Sequence, residues 1–294
     1  MEFDIIKLSF TALLILFLST CCSEKKEVIK IDIKQGQFLI TCTINDIIEG
    51  RFLIDTGTSN TVITPEVLNK LKLKSNKLEL PENGYTGNPN INLSEIHVVS
   101  SPLKIAFKKH SMKLSPVYVL DLDKMLNKKD LIQGLLGTDF LKNLLITVDY
   151  KDSLLIIENK TGLSRRLAEG IKISGEWGSI NYFEVILNDS IKSKYNLDTG
   201  LPITSISLND LSALGFNENS PNVERINYQG FGGEISVLST NLNSFSLGNG
   251  LEVKNLKVHA FNEKFGAIGT NYLTNFMVTY NFGENYIILK RFKQ

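Results

Sequence analysis

The sequence predicts an all-β fold built from two repeated halves, and three observations carry that expectation. Two sets of segments recur at fixed offsets along the chain. Short runs enriched in Ile, Val, Phe and Thr, separated by turn residues, fill most of the length, which is the pattern of strands. The composition is that of an ordinary globular protein: of 294 residues, 43% are hydrophobic and 21% charged, with 21 Gly and 7 Pro. Such a chain can bury a sizeable core, which excludes a largely disordered protein, a collagen and a multi-span membrane protein. Lys and Arg number 32 against 31 Asp and Glu, a formal net charge of +1 with no long basic stripe. A nucleic-acid partner therefore has no support.

The repeat is the strongest signal. Phe52-Leu53-Ile54-Asp55-Thr56-Gly57 aligns with Tyr195-Asn196-Leu197-Asp198-Thr199-Gly200, an offset of 143. The same offset pairs Ile44-Asn45-Asp46 with Leu187-Asn188-Asp189, and Thr64 with Ser207. Thr64 and Ser207 each precede a short helical pattern as N-caps, Pro65 suits a first helical position, and Gly215 suits a helix stop. At an offset of 132, Gly134-Leu135-Leu136-Gly137-Thr138-Asp139 aligns with Gly266-Ala267-Ile268-Gly269-Thr270-Asn271. The apolar runs Leu144–Tyr150 and Phe276–Phe282 follow, each leading to a last strand, Leu154–Ile157 and Tyr286–Leu289.

Other strands are expected at Val28–Ile33, Gln37–Thr43, Ile91–Ser100, Leu103–Phe107 and Val117–Leu120. In the second half they are expected at Ile180–Leu187, Glu234–Leu238 and Leu251–Val258. Asn159–Gly170 is polar and carries Arg165 and Arg166 together, which reads as a solvated connection between the halves or, alternatively, a processing site. Lys108-Lys109-His110 reads as a solvated hairpin edge, and Trp177, the single tryptophan, as a packing residue.

Residues 1–20 read as an export signal. Lys7 precedes Leu8–Leu18, a stretch apolar apart from Ser9 and Thr11 and too short to span a bilayer. Leu18-Ser19-Thr20-Cys21 then resembles the lipobox of bacterial lipoproteins, in which the cysteine is acylated and becomes the new N-terminus. The resemblance implies an exported, membrane-anchored protein of the cell envelope, facing the periplasm or the surface, with Cys21 lipidated. Cys22 competes for that role, and a plain cleaved signal or an uncleaved anchor is the alternative. Beyond this pair only Cys42 remains, so no disulfide is expected within the folded part. Its apolar surroundings mark Cys42 as a buried thiol. His97, His110 and His259 lie far apart in sequence, and no metal site is expected.

Asp-Thr-Gly alone is a weak motif. Here each copy follows an apolar strand and precedes a Gly-apolar-apolar-Gly segment, twice and in register. With these residues the sequence resembles the bilobal aspartic peptidases of the pepsin/retropepsin type, from about Ile31 to Arg291. The resemblance implies an all-β protein of two pseudo-symmetric, barrel-like acid-peptidase lobes with short helices and a cleft between them. The limits implied are a signal at 1–20, an anchor and linker at 21–30, lobes at 31–158 and 171–294, and an inter-lobe linker at 159–170. The activity implied is endopeptidase, with Asp55 and Asp198 as the catalytic pair, a peptide or protein as substrate, no cofactor, and a monomer, since both halves of the dyad lie in one chain.

The chemistry fits two carboxyls. One carboxylate activates a water while one carboxylic acid protonates the scissile carbonyl, and two like charges in contact share a single proton. The family's cross-loop hydrogen bonds carry over to Thr56 and Thr199, and its close loop approach to Gly57 and Gly200. Thr58 matches the position whose hydroxyl bonds its own aspartate, and Leu201 departs from it. Loss of that bond is expected to raise the pKa of Asp198 and make the dyad asymmetric and less acidic in its working range. It is also the best reason for a rival reading, a catalytically weak or inactive peptide-binding envelope protein. A hairpin covering the substrate is expected near Tyr85 and Gly87 in the first half and near Tyr228 in the second, with two ordinary surface turns as the alternative. No Gly-x-Ser-x-Gly, Walker A or strand-linked Gly-x-Gly-x-x-Gly segment is present.

Overall fold

The computed structural model describes residues 26–78, 96–122, 132–158, 160–176, 181–230 and 233–292. The expected export segment with Cys21 and Cys22, the turn with Tyr85 and Gly87, Trp177, and Phe231 with Gly232 lie outside these residues.

The two halves meet in a six-stranded antiparallel sheet. Its order is Glu27–Lys30, Leu154–Glu158, Leu145–Asp149, Phe276–Asn281, Tyr286–Arg291 and Ile171–Ser174. At its centre Thr147 pairs with Thr279, the residue 132 positions later, so each half supplies the same strand to the join. The two hydroxyls bond each other at 2.7 Å, and Tyr150 and Tyr280 do the same at 2.9 Å. Equivalent residues face each other here as they would across a local twofold axis.

Each half adds its own sheet, and the two sheets share one topology around the Asp-Thr-Gly loops. Ile48–Ile54 runs parallel to Gly134–Leu136, which is antiparallel to Val62–Ile63, which is parallel to Val117–Val119. In the second half Ile191–Leu197, Ala267–Ile268, Ser205–Ser207 and Val253–Phe261 repeat this arrangement strand for strand. The hairpins that enter each loop turn on Asn45-Asp46 and Asn188-Asp189, all four in the left-handed region. Asn and Asp tolerate that conformation better than most residues. Each Asn also accepts a backbone N–H from a neighbouring strand, Lys104 at 2.9 Å and Ser244 at 3.1 Å.

The helices are short. Thr64 caps Pro65–Lys70 through a bond from the N–H of Val67, and Ser207 caps Leu208–Ala213 through one from Asp210 at 2.9 Å. Gly215 follows the second helix with φ +83°, the left-handed stop that glycine adopts without strain. A single large apolar core runs through both halves and the joining sheet. Cys42 lies in it as a free thiol, its pKa pushed up to about 12 by burial. Among the described residues no helix is long and apolar enough to cross a membrane.

Two expectations are corrected. Lys160–Glu169 is a helix rather than a solvated connection. Arg166 within it is buried and bonds Glu158 through Nε at 2.9 Å and a terminal nitrogen at 3.0 Å, with Arg165 on the same carboxylate at 3.0 Å. The two arginines of this segment turn toward Glu158 of the joining sheet, which a composition reading cannot register. The strand expected at Val28–Ile33 starts at Glu27, within the stretch given to the anchor and linker, and is split in two: Glu27–Lys30, the edge strand of the joining sheet paired with Leu154–Ile157, and Asp32–Lys34, paired with Gln37–Leu39. The Lys108-Lys109 pair is the turn of the hairpin Leu103–Phe107 and His110–Leu114, as its basic edge implied.

Candidate active site

The two Asp-Thr-Gly loops face each other where the halves meet. Each leaves its strand under the same restraint: the N–H of Asp55 donates to the carbonyl of Leu136, and that of Asp198 to Ile268, both at 3.0 Å. The threonines then interlock. Thr56 N–H donates to the Thr199 hydroxyl at 3.1 Å, and Thr199 N–H to the Thr56 hydroxyl at 3.0 Å. The hydroxyls donate onward, Thr56 to the carbonyl of Leu197 at 2.8 Å and Thr199 to that of Ile54 at 2.7 Å. Both side chains are buried, so each polar group finds its partner only in the opposite loop.

This lock brings the carboxyls of Asp55 and Asp198 within hydrogen-bonding reach of each other. A Cβ on Gly57 would stand 2.5 Å from Cγ of Asp198, and one on Gly200 would stand 2.8 Å from Cγ of Asp55. Glycine is thus required at both positions by the close approach itself. Asp55 accepts the N–H of Gly57 at 2.9 Å. Asp198 accepts the N–H of Gly200 at 2.8 Å, while the N–H of Leu201 donates to the backbone carbonyl of Asp198 at 3.3 Å.

Burial dominates the electrostatics. It pushes Asp55 up to about 6 against the pull of its backbone donors. It raises Asp198 well above the usual carboxylate range, with the charge of Asp55 adding to the effect. The pair holds a proton into a pH range where isolated carboxyls are ionised, and it titrates as a unit.

The expected role of Thr58 is corrected. Its hydroxyl donates to the carbonyl of Asn60 at 3.1 Å, within its own turn, and leaves Asp55 to the backbone donors. Leu201 has no hydroxyl to offer Asp198, and the hydroxyl of Thr58, its counterpart, is spent on Asn60 rather than on Asp55. The asymmetry between the carboxyls comes from their charges and surroundings. Gln37 adds a further link across the halves, its side-chain amide donating to the carbonyl of Gly200.

Tyr228 lies on the hairpin Glu224–Gly230 and Gly233–Ser246, whose strands pair up to Gly230 and Gly233. Its ring meets His259 at 5.4 Å and Phe261 at 5.5 Å, both edge-on. Burial and the charge of Asp198 push its hydroxyl up to about 12, which puts the phenol within electrostatic range of the dyad.

The Gly-apolar-apolar-Gly segments support the loops from below. Gly137 N–H donates to the Thr61 hydroxyl at 3.3 Å and Gly269 N–H to Thr204 at 3.1 Å. Asp139 accepts both the N–H and the hydroxyl of Thr61, and Asn271 does the same for Thr204. The motif reading overlooked these four residues. Thr61 with Thr204 and Asp139 with Asn271 stand at the repeat offsets, which is the signal that marks them. Among the described residues no group of three or more His, Cys, Asp or Glu is placed to hold a metal ion.

Residues 40–140 match the family model described as aspartyl protease. The match contains Asp55 and the first Gly-apolar-apolar-Gly segment and ends before Asp198. A retropepsin-like aspartic protease from Rickettsia conorii is similar in its solved structure, at 22% identity and a TM-score of 0.33, over 40% of this chain and 88% of that one. No curated protein matches. The first half is therefore similar to aspartyl proteases in sequence, while the second half is tied to it by the internal repeat and the interlocked loops.

Proposed function

We propose that the protein is an aspartic endopeptidase in which Asp55 and Asp198 share one proton. The observation that carries this reading is the contact between the two partly buried carboxyls, held by reciprocal threonine bonds. In the singly protonated pair the ionised carboxyl takes a proton from a water molecule as its oxygen attacks the scissile carbonyl carbon. The protonated carboxyl gives its proton to the carbonyl oxygen. The tetrahedral species then collapses: one of its hydroxyls returns a proton to the ionised carboxyl as the C–N bond breaks, and the amine leaves with the proton taken from the water, which restores the singly protonated pair. An extended peptide fits between the halves, with main-chain hydrogen bonds like those of an added strand.

The alternative, a catalytically weak or inactive peptide-binding protein, draws on Leu201; against it stands the hydroxyl of Thr58, which bonds Asn60 and so gives Asp55 no advantage that Asp198 lacks. We extend the proposal to a monomer, since both halves of the dyad lie in one chain, and to an exported lipoprotein anchored through Cys21, on the strength of the N-terminal segment alone. Incubation of wild type and Asp55→Asn with a mixed peptide library tests the activity. Cleavage by wild type and none by the variant is expected; equal or absent cleavage by both overturns it. Metabolic labelling with a fatty acid tests the anchor, with Cys21→Ala expected to abolish incorporation.

A further inference from the structure

The two halves place chemically opposite side chains at equivalent positions beside the dyad. In the first half, the backbone register runs Leu39, Leu53, Leu135, Val62, Tyr118 across five strands. In the second, the same register runs Tyr182, Asn196, Ala267, Ser205, His259. Leu53 and Asn196 stand two residues before Asp55 and Asp198, so strand alternation puts each row on the face that carries its aspartate. The intervening residues Ile54 and Leu197 point the other way, into the main core. Leu39, Leu53, Val62 and Leu135 instead form a small apolar cluster of their own, with Tyr118 packed on it.

His259 ends the second row. It is 5% exposed, and neither ring nitrogen has a hydrogen-bond partner. Buried polar atoms are almost always paired, so an imidazole with both nitrogens unmet beside a candidate active site points to a partner that arrives with the ligand. Burial and nearby Lys257 hold its pKa down to about 4, which leaves one nitrogen a donor and the other an acceptor. What covers it is the ring of Tyr228, on the edge strand of its sheet, hydrogen-bonded to a neighbour on one side only. That strand is the element able to give way to an incoming side chain.

We propose that His259 is a specificity-determining residue that binds an uncharged hydrogen-bonding side chain of the substrate, a hydroxyl or a carboxamide, on the second-half side of the scissile bond, while the Leu53 row accepts an aliphatic or aromatic side chain on the other. The inference rests on the peptidase reading and adds the substrate class. A carboxylate is disfavoured at this place because the singly protonated pair carries one negative charge, and Tyr228, in contact with the His259 ring, lies within electrostatic range of that pair. A neutral polar group satisfies the imidazole without meeting that charge.

The test is cleavage profiling with a peptide library randomised on both sides of the cut, for wild type, His259→Leu and His259→Gln, with melting curves to confirm folding. Wild type is expected to prefer a hydroxyl or carboxamide residue at one position and an apolar residue across the bond. His259→Leu shifts the polar position alone toward apolar residues, by about tenfold or more in relative kcat/KM. His259→Gln retains the preference. If His259→Leu does not fold, Asn196→Leu, in the same row, is expected to shift the same position in the same direction. Apolar preference on both sides, or a profile that neither leucine variant changes, overturns the proposal. If wild type cuts nothing, the peptidase reading fails, and binding of matched polar and apolar peptides to Asp55→Asn decides the subsite separately: discrimination lost in Asp55→Asn/His259→Leu supports it, and equal binding overturns it.

Discussion

Thr56 and Thr199, 143 residues apart, each donate a backbone N–H to the other's hydroxyl, at 3.1 and 3.0 Å. Their hydroxyls in turn donate to Leu197 and Ile54, the residues just before the opposite aspartates. Thr56→Val or Thr199→Val leaves a buried N–H and a buried carbonyl unpaired, at a cost of about 2–4 kcal/mol. Thr→Ser at either position keeps the hydroxyl and is expected to lie within about 1 kcal/mol of wild type. Chemical denaturation of the two valine variants and their double is expected to show non-additive losses, since both remove the same lock. Additive losses would contradict a coupled pair.

Gly57→Ala is expected to remove activity while leaving a folded protein. The added Cβ would stand 2.5 Å from Cγ of Asp198, so the carboxyl must turn away from its partner. A displacement of this kind at reacting groups costs on the order of 100-fold in rate. Peptide cleavage together with a retained melting transition checks it; wild-type kcat/KM in Gly57→Ala would mean that the carboxyls are not held in contact.

The raised carboxyl pKa values set the pH dependence. Asp55 loses its proton near pH 6, and Asp198, beside that charge, holds on to higher pH. The singly protonated pair therefore fills as pH rises through about 6 and empties above it. We expect a bell-shaped kcat/KM profile with its acid limb near pH 6. An optimum below pH 4 would contradict this electrostatic account.

The same shift acts on stability with a definite sign. A carboxyl raised in the folded state contributes fully below its unfolded pKa, near 4, and the contribution is lost as pH rises through about 6. Asp55→Asn abolishes that loss. It is expected to raise the melting temperature at pH 7.5, by a stability gain of about 1–3 kcal/mol, and to change it little at pH 4. An equal gain at both pH values would rule out the titration of Asp55 as the cause.

Glu158 and Arg166 form a buried ion pair between the joining sheet and the Lys160–Glu169 helix, and Glu158 also accepts the hydroxyl of Thr147 at 3.2 Å. Arg166→Met leaves much of that carboxylate uncompensated and is expected to cost about 3–5 kcal/mol. Glu158→Leu/Arg166→Met is expected to recover most of the loss, because neither charge then remains to be buried unpaired. Urea denaturation distinguishes the single from the double variant.

The fold class, the repeat and the residues of both Asp-Thr-Gly loops were legible because identical local problems leave identical local signatures. A turn that needs left-handed residues shows as Asn45-Asp46 and Asn188-Asp189. A loop that needs close approach shows as Gly57 and Gly200. The helix caps at Thr64 and Ser207 are local as well and fall where the pattern put them.

What each polar group bonds to was not legible. The hydroxyl of Thr58 turns to Asn60, Arg166 turns inward to Glu158, Gln37 reaches the opposite loop, and His259 is buried without a partner. A hydrogen bond is a matter of a few tenths of an ångström and of direction, and these are set by how the folded chain packs around each group, whether the partner is two residues away, as for Thr58, or 163, as for Gln37. The sequence by itself determined that this protein carries two matched acidic loops on a duplicated β scaffold, since periodicity, turn chemistry and repeat offsets act over short stretches of chain. Only the tertiary structure decided that the carboxyls touch, that the threonines hold them there and that the two faces beside them differ in polarity, because contact and burial come from elements that meet only when the chain is folded.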